Sequence, residues 1–237
     1  MEKKVAIMQP YFFPYIGYFQ LIHSVDEFII YDNIQYTKKG WINRNRILDN
    51  DGSPRWVTLP LKKDSDYLNV VDRKIADTWD KDRKKTLGMI KTVYSKAPYF
   101  KEVYNLIEEC LMFDEINLFS FIHNSIIKIN SYIGIETPII ISSQVNIDHS
   151  LKSKDKVLAI CKEQKATTYV NAIGGMELYD KEEFKQQGIE LNFIQSRFIR
   201  YPQFIEDRFN PWLSIIDVLM FNGREPVKEF VSSYKLI

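Results

Sequence analysis

Apolar residues recur along the chain with two different periods, and their alternation predicts an α/β protein. Short runs rich in β-branched and aromatic residues are typical of buried strands, and they occur at residues 5–8, 27–32, 55–61, 138–142, 166–172 and 189–195. Apolar positions at helical spacing follow the first run, before the second begins. Strand, helix and strand thus fill about 30 residues, which is the size of a βαβ unit and predicts parallel pairing.

The middle of the chain predicts a helical insert. Three consecutive amphipathic helices are expected between residues 79 and 133, the last of them closed by Gly134. Strands and helices alternate again after the insert, up to an apolar helix that ends at Gly223. We therefore expect a mostly parallel sheet flanked by helices, with a nucleotide-binding-like βαβ start. No linker interrupts the 237 residues, which favours a single domain, 1–237.

Ligands of such sheets bind beyond the carboxyl ends of the strands. Polar residues or glycines follow the strands in four loops, at residues 9–17, 32–46, 142–143 and 171–175. The fold prediction brings these loops to the same edge of the sheet. They supply the candidate substrate-binding residues Gln9, Tyr11, Tyr15, Gly17, Tyr18, Gln35, Trp41, Asn43, Arg44, Asn45, Arg46, Ser143, Asn171 and Gly174.

Composition and charge narrow the classes of partner. The net charge of +1 argues against general affinity for nucleic acid or anionic membranes. No apolar run approaches the length of a membrane span, and no signal peptide is recognisable, so a cytoplasmic location is expected. Cys110 and Cys161 make no disulfide framework, and the three histidines show no zinc-binding spacing, so no metal is expected.

The first loop, "QPYFFPYIG", carries an unusual number of aromatic residues. Gly17 at a helix start is compatible with an anion. Nucleotidylyltransferase-like folds place a histidine pair around a glycine at this point, but here Tyr15 and Tyr18 stand in its place. Phenols do not carry protons at neutral pH as imidazoles do. The loop is thus expected to form one wall of a pocket, with Gln9 at its base, or else the tyrosines merely pack the loop.

The second loop, "DNIQYTKKGWINRNRI", has the densest polar chemistry. Arginine suits phosphate or carboxylate, while amides beside Trp and Tyr suit a sugar. In a strand, Asn43 with Asn45, or Arg44 with Arg46, would share a face. The alternative is a solvated hairpin with structural arginines. Gly174 and Gly175 could likewise cradle an anion or form a turn.

Candidate catalytic groups are few. His23, in the first helix, and Asp32 are the candidate bases, whereas Ser142 and Ser143 lack the context of a nucleophile elbow. Asp217 lies among apolar residues in "SIIDVLM" and is expected to be paired for structural reasons, with an arginine as the candidate partner.

These motifs together resemble those of the WbqC-like family. The stretch "AIMQPYFFPYIGYFQLIHSVDEFIIYDNIQYTKKGWINRNRI" is similar to the family's opening pattern, and "RWVTLPL", "YSKAPYF", "TTYVNAIGG" and "LSIIDVL" extend the resemblance over nearly the whole chain. One departure is the segment "DKDRKKTL" after Trp79, which lacks a histidine found thereabouts in relatives. If that histidine were catalytic in them, this chain would need another base.

The resemblance implies a bacterial protein of O-antigen or other lipopolysaccharide gene clusters. It implies a transferase that adds an acyl or aminoacyl group to an amino sugar or nucleotide-linked amino sugar. No cofactor would be required beyond an acyl donor such as a coenzyme A or carrier-protein thioester. The alternative is a non-catalytic module that binds a glycan or nucleotide-sugar. A deep pocket with an acid or histidine beside Arg44 or Arg46 would favour the enzyme, and a shallow aromatic groove the module.

Overall fold

A six-stranded sheet organises the protein, whose computed structural model describes residues 2–205 and 208–237. The strands lie in the order β5-β2-β1-β6-β7-β8. Five of them are parallel, and only the last, β8, pairs antiparallel. Their bounds are β1 Lys4–Met8, β2 Glu27–Ile30, β5 Ile139–Ile141, β6 Thr168–Ala172, β7 Glu190–Ser196 and β8 Tyr234–Leu236. The predicted α/β class with a mostly parallel sheet is confirmed.

The order of the strands reverses beside β1. The chain moves from β1 to β2 and β5 on one side, then crosses to β6 and β7 on the other. In register, Ala6 of β1 lies between Phe28 of β2 and Val170 of β6. Loops leaving β1 and β6 therefore diverge to opposite faces and open a crevice at the carboxyl edge, where doubly wound sheets bind their ligands.

Eight helices accompany these strands in the described residues. Their bounds are α1 Ile16–His23, α2 Trp79–Tyr94, α3 Phe100–Leu111, α4 Leu118–Ile133, α5 Ser153–Glu163, α6 Lys181–Gln186, α7 Ile215–Asn222 and α8 Arg224–Val231. The predicted insert corresponds to α2, α3 and α4. Helix α8 was missed because only Val227 and Val231 are buried in it, which is too few to make a clear apolar period.

Both faces of the sheet are covered, and alternate residues of each strand explain why. Ala6, Phe28 and Val170 pack into a large core with α1, α3, α4, α7 and α8. Val5, Ile29 and Tyr169 point the other way and pack with α5 and α6. This burial on both faces explains why the strands appear as continuous apolar runs in the sequence. No helix among the described residues is long and apolar enough to cross a membrane.

The run at residues 55–61 does not extend the main sheet, which corrects its expected place as a strand of the α/β alternation. It contributes β4 (Pro54–Thr58), which pairs antiparallel with β3 (Arg44–Leu48) in a separate hairpin. A tight turn joins the two strands: the N–H of Asp49 donates to the Ser53 carbonyl, and Gly52 has a φ of 74°. Such a short turn forces antiparallel neighbours, so this segment forms a hairpin.

Candidate functional site

Two cavities open at the carboxyl edge of the sheet. The larger, about 1230 Å³, lies over the ends of β1 and β6, and the smaller, about 500 Å³, lies between the first loop, the hairpin and the end of β7. Tyr11 lines both cavities. Three of the four predicted loops reach the larger cavity, and the fourth supports it through Ser142, whose Oγ donates to Asn33 Oδ1 at 2.8 Å.

The smaller cavity has an aromatic lining, and its charged lining residue among those described is a cation, Arg46. Its wall contains Tyr11, Tyr15, Trp41, Phe198 and Trp212, with Asn45, Gln195 and Ser196 as polar groups and Arg46 as a cation. The rings of Tyr15 and Trp212 meet edge to face with centroids 6.1 Å apart. No Asp, Glu or His is among its described lining residues. The cavity therefore suits an apolar group that carries an anion or acceptor near Arg46.

Arginine and tryptophan alternate across the hairpin and form a stack. The Arg44 guanidinium lies 4.2 Å from the ring centre of Trp56, and the centroids of Trp41 and Trp56 are 5.4 Å apart. Arg46 lies 5.5 Å from Trp41, and Trp41 and Arg46 face the smaller cavity. Arg44 lines neither cavity; it donates to the carbonyls of Gly40 and Lys39. Arg44 thus braces the cavity wall, whereas Arg46 can contact a ligand.

The two asparagines of this segment are buried and hold the backbone. Asn43 accepts from the Tyr36 hydroxyl at 2.8 Å and donates to the Leu59 carbonyl at 2.8 Å. Asn45 donates to the carbonyls of Phe12 and Phe13, at 3.2 and 2.9 Å. Asn45 therefore ties the hairpin to the first loop, and it also reaches the smaller cavity. Asn43 lines neither cavity, so its amide serves the fold.

The first loop is tightly packed around Gly17 and Tyr18. A Cβ at Gly17 would collide with the ring of Tyr15, so glycine makes room for that ring. Tyr18 is buried, donates to the Gln9 carbonyl at 3.0 Å, and lines neither cavity. Burial raises the pKa of Tyr11, Tyr15 and Tyr18. These phenols stay protonated at neutral pH, which further weakens the comparison with nucleotidyl transfer.

The structure separates His23 from both cavities. His23 is exposed at the end of α1, close to Asp26, whose N–H donates to the Lys4 carbonyl at the start of β1. That is the amino edge of the sheet, opposite the cavities. As a candidate base, His23 is therefore in the wrong place.

Asp32 lies at the correct edge but is enclosed, with 1% of its surface exposed. Its Oδ1 accepts from the N–H of Ser143 at 2.9 Å, and its Oδ2 has no partner among the described residues. Neither Asp32 nor Ser143 lines a cavity. Burial lowers the pKa of Lys156, and the negative charge of Asp32 partly opposes this shift.

His149 and Lys156 are among the cavity residues that were missed from the sequence. Asn33 Nδ2 donates to His149 Nδ1 at 3.0 Å, and His149 Nε2 lies 3.0 Å from the Val145 carbonyl. This fits a neutral ring with its proton on Nε2 and both nitrogens occupied. Lys156 is 3% exposed and stands beside Val157 in the buried face of α5. A lysine inside an apolar helical stripe was the signal that could have identified it.

The loop after β6 shapes the larger cavity. Asn171 is buried, lines the cavity and accepts from the N–H of Ala172 at 2.8 Å. A Cβ at Gly175 would collide with the Asn171 amide, whereas a Cβ at Gly174 would meet open space. Gly175 is thus needed for packing, and Gly174 leaves room at the cavity. Gln9 and Gln35 also line this cavity, and Gln35 donates to the Asp66 carbonyl at 3.1 Å.

The fold and this edge define a doubly wound α/β protein with two adjoining cavities as its candidate ligand site. The chain belongs to the WbqC-like protein family, whose model matches residues 9–229. It is similar to the uncharacterized protein Rv1507c of Mycobacterium tuberculosis (strain ATCC 25618 / H37Rv), with 30% identity over 226 residues, 94% of this chain and 95% of that protein. No solved structure matches the chain. In the described residues, no group of three His, Cys, Asp or Glu side chains could hold a metal ion.

Proposed function

We propose that this protein is an acyl or aminoacyl transferase that N-acylates an amino sugar or nucleotide-linked amino sugar in bacterial surface-polysaccharide (O-antigen) biosynthesis. The observation that carries the proposal is the pair of chemically different cavities that share Tyr11 at the carboxyl edge of the sheet. A transferase must hold two substrates with their reacting atoms in contact. Two adjoining cavities with one common side chain provide that arrangement.

The lining of each cavity indicates which substrate it takes. The larger cavity presents amide side chains from Gln9, Asn33, Gln35, Asn69 and Asn171, and paired donors and acceptors suit sugar hydroxyls and a nucleobase. The smaller cavity is aromatic and suits an acyl group delivered as a coenzyme A or carrier-protein thioester. Such donors and nucleotide-sugars are made in the cytoplasm, where the reaction is proposed to occur. We propose no other cofactor, and no nucleic acid takes part.

The chemistry needs no nucleophile from the protein. The free amine of the sugar attacks the thioester carbonyl, a C–N bond forms, the C–S bond breaks, and the amine proton ends on the departing thiolate. No carboxylate is among the described lining residues of either cavity, so positioning carries more of the catalysis than general base action. The raised pKa of Tyr11 keeps its hydroxyl protonated, and that hydroxyl can donate to the developing oxyanion.

The test is an incubation of the pure protein with a panel of nucleotide-linked amino sugars and acyl thioesters, with amide formation followed by mass spectrometry. A Tyr11→Phe variant keeps the shared wall and removes the hydroxyl. We expect it to lower kcat about 10- to 1000-fold with little change in KM, because the hydrogen bond forms only in the transition state. Tyr18→Phe, on a buried neighbour, is the matched control. A full panel that yields neither product nor binding would refute the proposal.

A second function is favoured by one observation: no acid or histidine is among the described residues that line the cavity beside Arg46. The protein would then be a non-catalytic module that binds a glycan or nucleotide-sugar for an assembly complex. The half-exposed Trp41 and Trp56 rings offer flat apolar faces of the kind that stack on sugars. This function predicts binding without turnover, and a Tyr11→Phe variant that changes affinity alone.

A further inference from the structure

The larger cavity carries a charge pattern that its amide lining does not explain. Lys152 and Lys156 line it, and no Asp or Glu is among its described lining residues. A wall with two cations and no carboxylate favours a negatively charged occupant. The two lysines lie at the end of the cavity where α5 begins.

Helix α5 opens directly onto this cavity. His149, Ser150, Leu151, Lys152 and Ser153 line it just before and at the first turn. The helix has 11 residues, and no side chain caps its N-terminus. The first backbone N–H groups of a helix have no partner within the helix and carry a partial positive charge. An uncapped start beside a cavity leaves those donors for a ligand.

Lys156 is the independent observation at this end. It is 97% buried, lines the cavity, and makes no hydrogen bond or ion pair within 4 Å to a described residue. Its Nζ lies 5.0 Å from the ring centre of Tyr31, another lining residue. A lysine that is this deeply buried, lines a cavity and contacts no described carboxylate favours an anion in that cavity. Asp32 is not a hydrogen-bond partner of Lys156, because its Oδ2 has no partner among the described residues.

We propose that the start of α5 and the Lys156 ammonium form a phosphoryl-binding site, which takes the diphosphate of a nucleotide-linked ligand in the larger cavity. The start of α5 and Lys156 line the same end of the cavity, so one anion can contact both. Gly174, on the opposite loop, leaves the space open. The site lies at the crossover from β5 through α5 to β6 and not at the β1–α1 turn, where the Tyr15 ring covers Gly17. That the diphosphate belongs to a sugar nucleotide rests on the proposed function, whereas the phosphoryl site does not.

The experiment is isothermal titration of the pure protein with inorganic diphosphate, uridine diphosphate, coenzyme A and uridine. We expect diphosphate and uridine diphosphate to bind, and uridine to bind at least about tenfold more weakly than uridine diphosphate. Lys156→Met keeps the apolar stem and removes the charge. It should weaken binding of the diphosphates at least about tenfold, as expected for a lost charge-assisted contact.

Lys154→Met is the matched control, because Lys154 lies on the same helical turn, pairs with Glu183 at 2.7 Å, and does not line the cavity. It should leave binding unchanged. Lys156→Met should also keep or raise the melting temperature of the free protein, since burial disfavours the charge of this lysine more than the Asp32 carboxylate favours it. A lower melting temperature with unchanged binding would show a structural lysine and overturn the site.

The remaining outcomes separate this site from the proposed transferase. Failure of every phosphate probe to bind, or equal binding to Lys156→Met, overturns the phosphoryl site even if acyl transfer is found. Lys156-dependent binding by coenzyme A alone supports a phosphoryl site and overturns the placement of the sugar nucleotide in this cavity. Binding of uridine diphosphate without any acyl transfer supports the site and counts against the transferase.

Discussion

Asp217 should make the protein less stable as the pH rises from 4 to 7. The residue is fully buried in α7 and accepts three hydrogen bonds: from the hydroxyls of Tyr94 at 2.7 Å and Tyr201 at 2.6 Å, and from Gln203 Nε2 at 2.9 Å. These donors lower the pKa, but burial outweighs them and raises the pKa of Asp217 from 3.8 to about 6. The expected arginine partner is absent from its hydrogen bonds, and two phenols and an amide take its place.

The sign of the effect follows from the raised pKa. The folded state holds the proton more tightly than the unfolded state, so the contribution to stability is complete below the unfolded pKa. It is lost as the pH rises through the folded pKa. A difference of about two pH units corresponds to roughly 3 kcal/mol in full. About 2 kcal/mol of that change should fall between pH 4.5 and 7.5.

The assay compares urea unfolding of the native chain and of Asp217→Asn at several pH values. Other titrating groups are the same in both proteins, so the difference between their free energies of unfolding isolates Asp217. We expect the native chain to lose about 2 kcal/mol relative to Asp217→Asn from pH 4.5 to 7.5. A difference that is flat, or that rises with pH, would refute the reasoning, because it would mean that the three donors outweigh burial. Asp217→Ala should cost about 3–5 kcal/mol at pH 7, because it strands buried donors.

Two further predictions concern the site. Asn45→Ala should lower the free energy of unfolding by about 2 kcal/mol, because it breaks two buried hydrogen bonds to the Phe12 and Phe13 carbonyls. Urea unfolding measures this against Asn50→Ala, a control on the exposed hairpin turn. Equal stability of the two variants would contradict the prediction. His23→Ala should keep ligand affinity and any transfer rate within about twofold of the native values, because His23 lies at the opposite edge of the sheet. Titration measures the affinity and mass spectrometry the rate. A tenfold loss of either would place the site elsewhere.

The sheet was predictable because its strands are short and apolar on both faces. The predicted runs at residues 5–8, 27–32, 138–142, 166–172 and 189–195 each overlap an observed strand, at most one residue of which lies outside the run. Their separation by amphipathic helices implied parallel pairing. The edge strand β8 and helix α8 escaped prediction, because three residues at an edge and two buried valines leave little pattern.

The edge at which the candidate residues gather was predictable, but which of them line a cavity was predictable only in part. Residues 9–17, 32–46 and 171–175 do meet at the carboxyl edge, as parallel topology requires. Strand alternation also correctly placed Arg44 and Arg46 on one face. Which of the two reaches a ligand depended on the twist of the hairpin against the first loop, and local sequence does not encode that orientation.

The sequence by itself determined the class of fold, the helical insert and the edge at which polar side chains gather, because hydrophobic periods and turn residues act over a few positions. Only the tertiary structure decided which groups are free. Tyr15 covers Gly17, Asn43 is used by the backbone, and His23 is carried to the far edge by the length of α1. Lys156 lies inside the apolar stripe of α5 and becomes a buried cation that makes no ion pair with a described residue. Whether a polar group is available depends on its neighbours in space, and distant segments supply those neighbours.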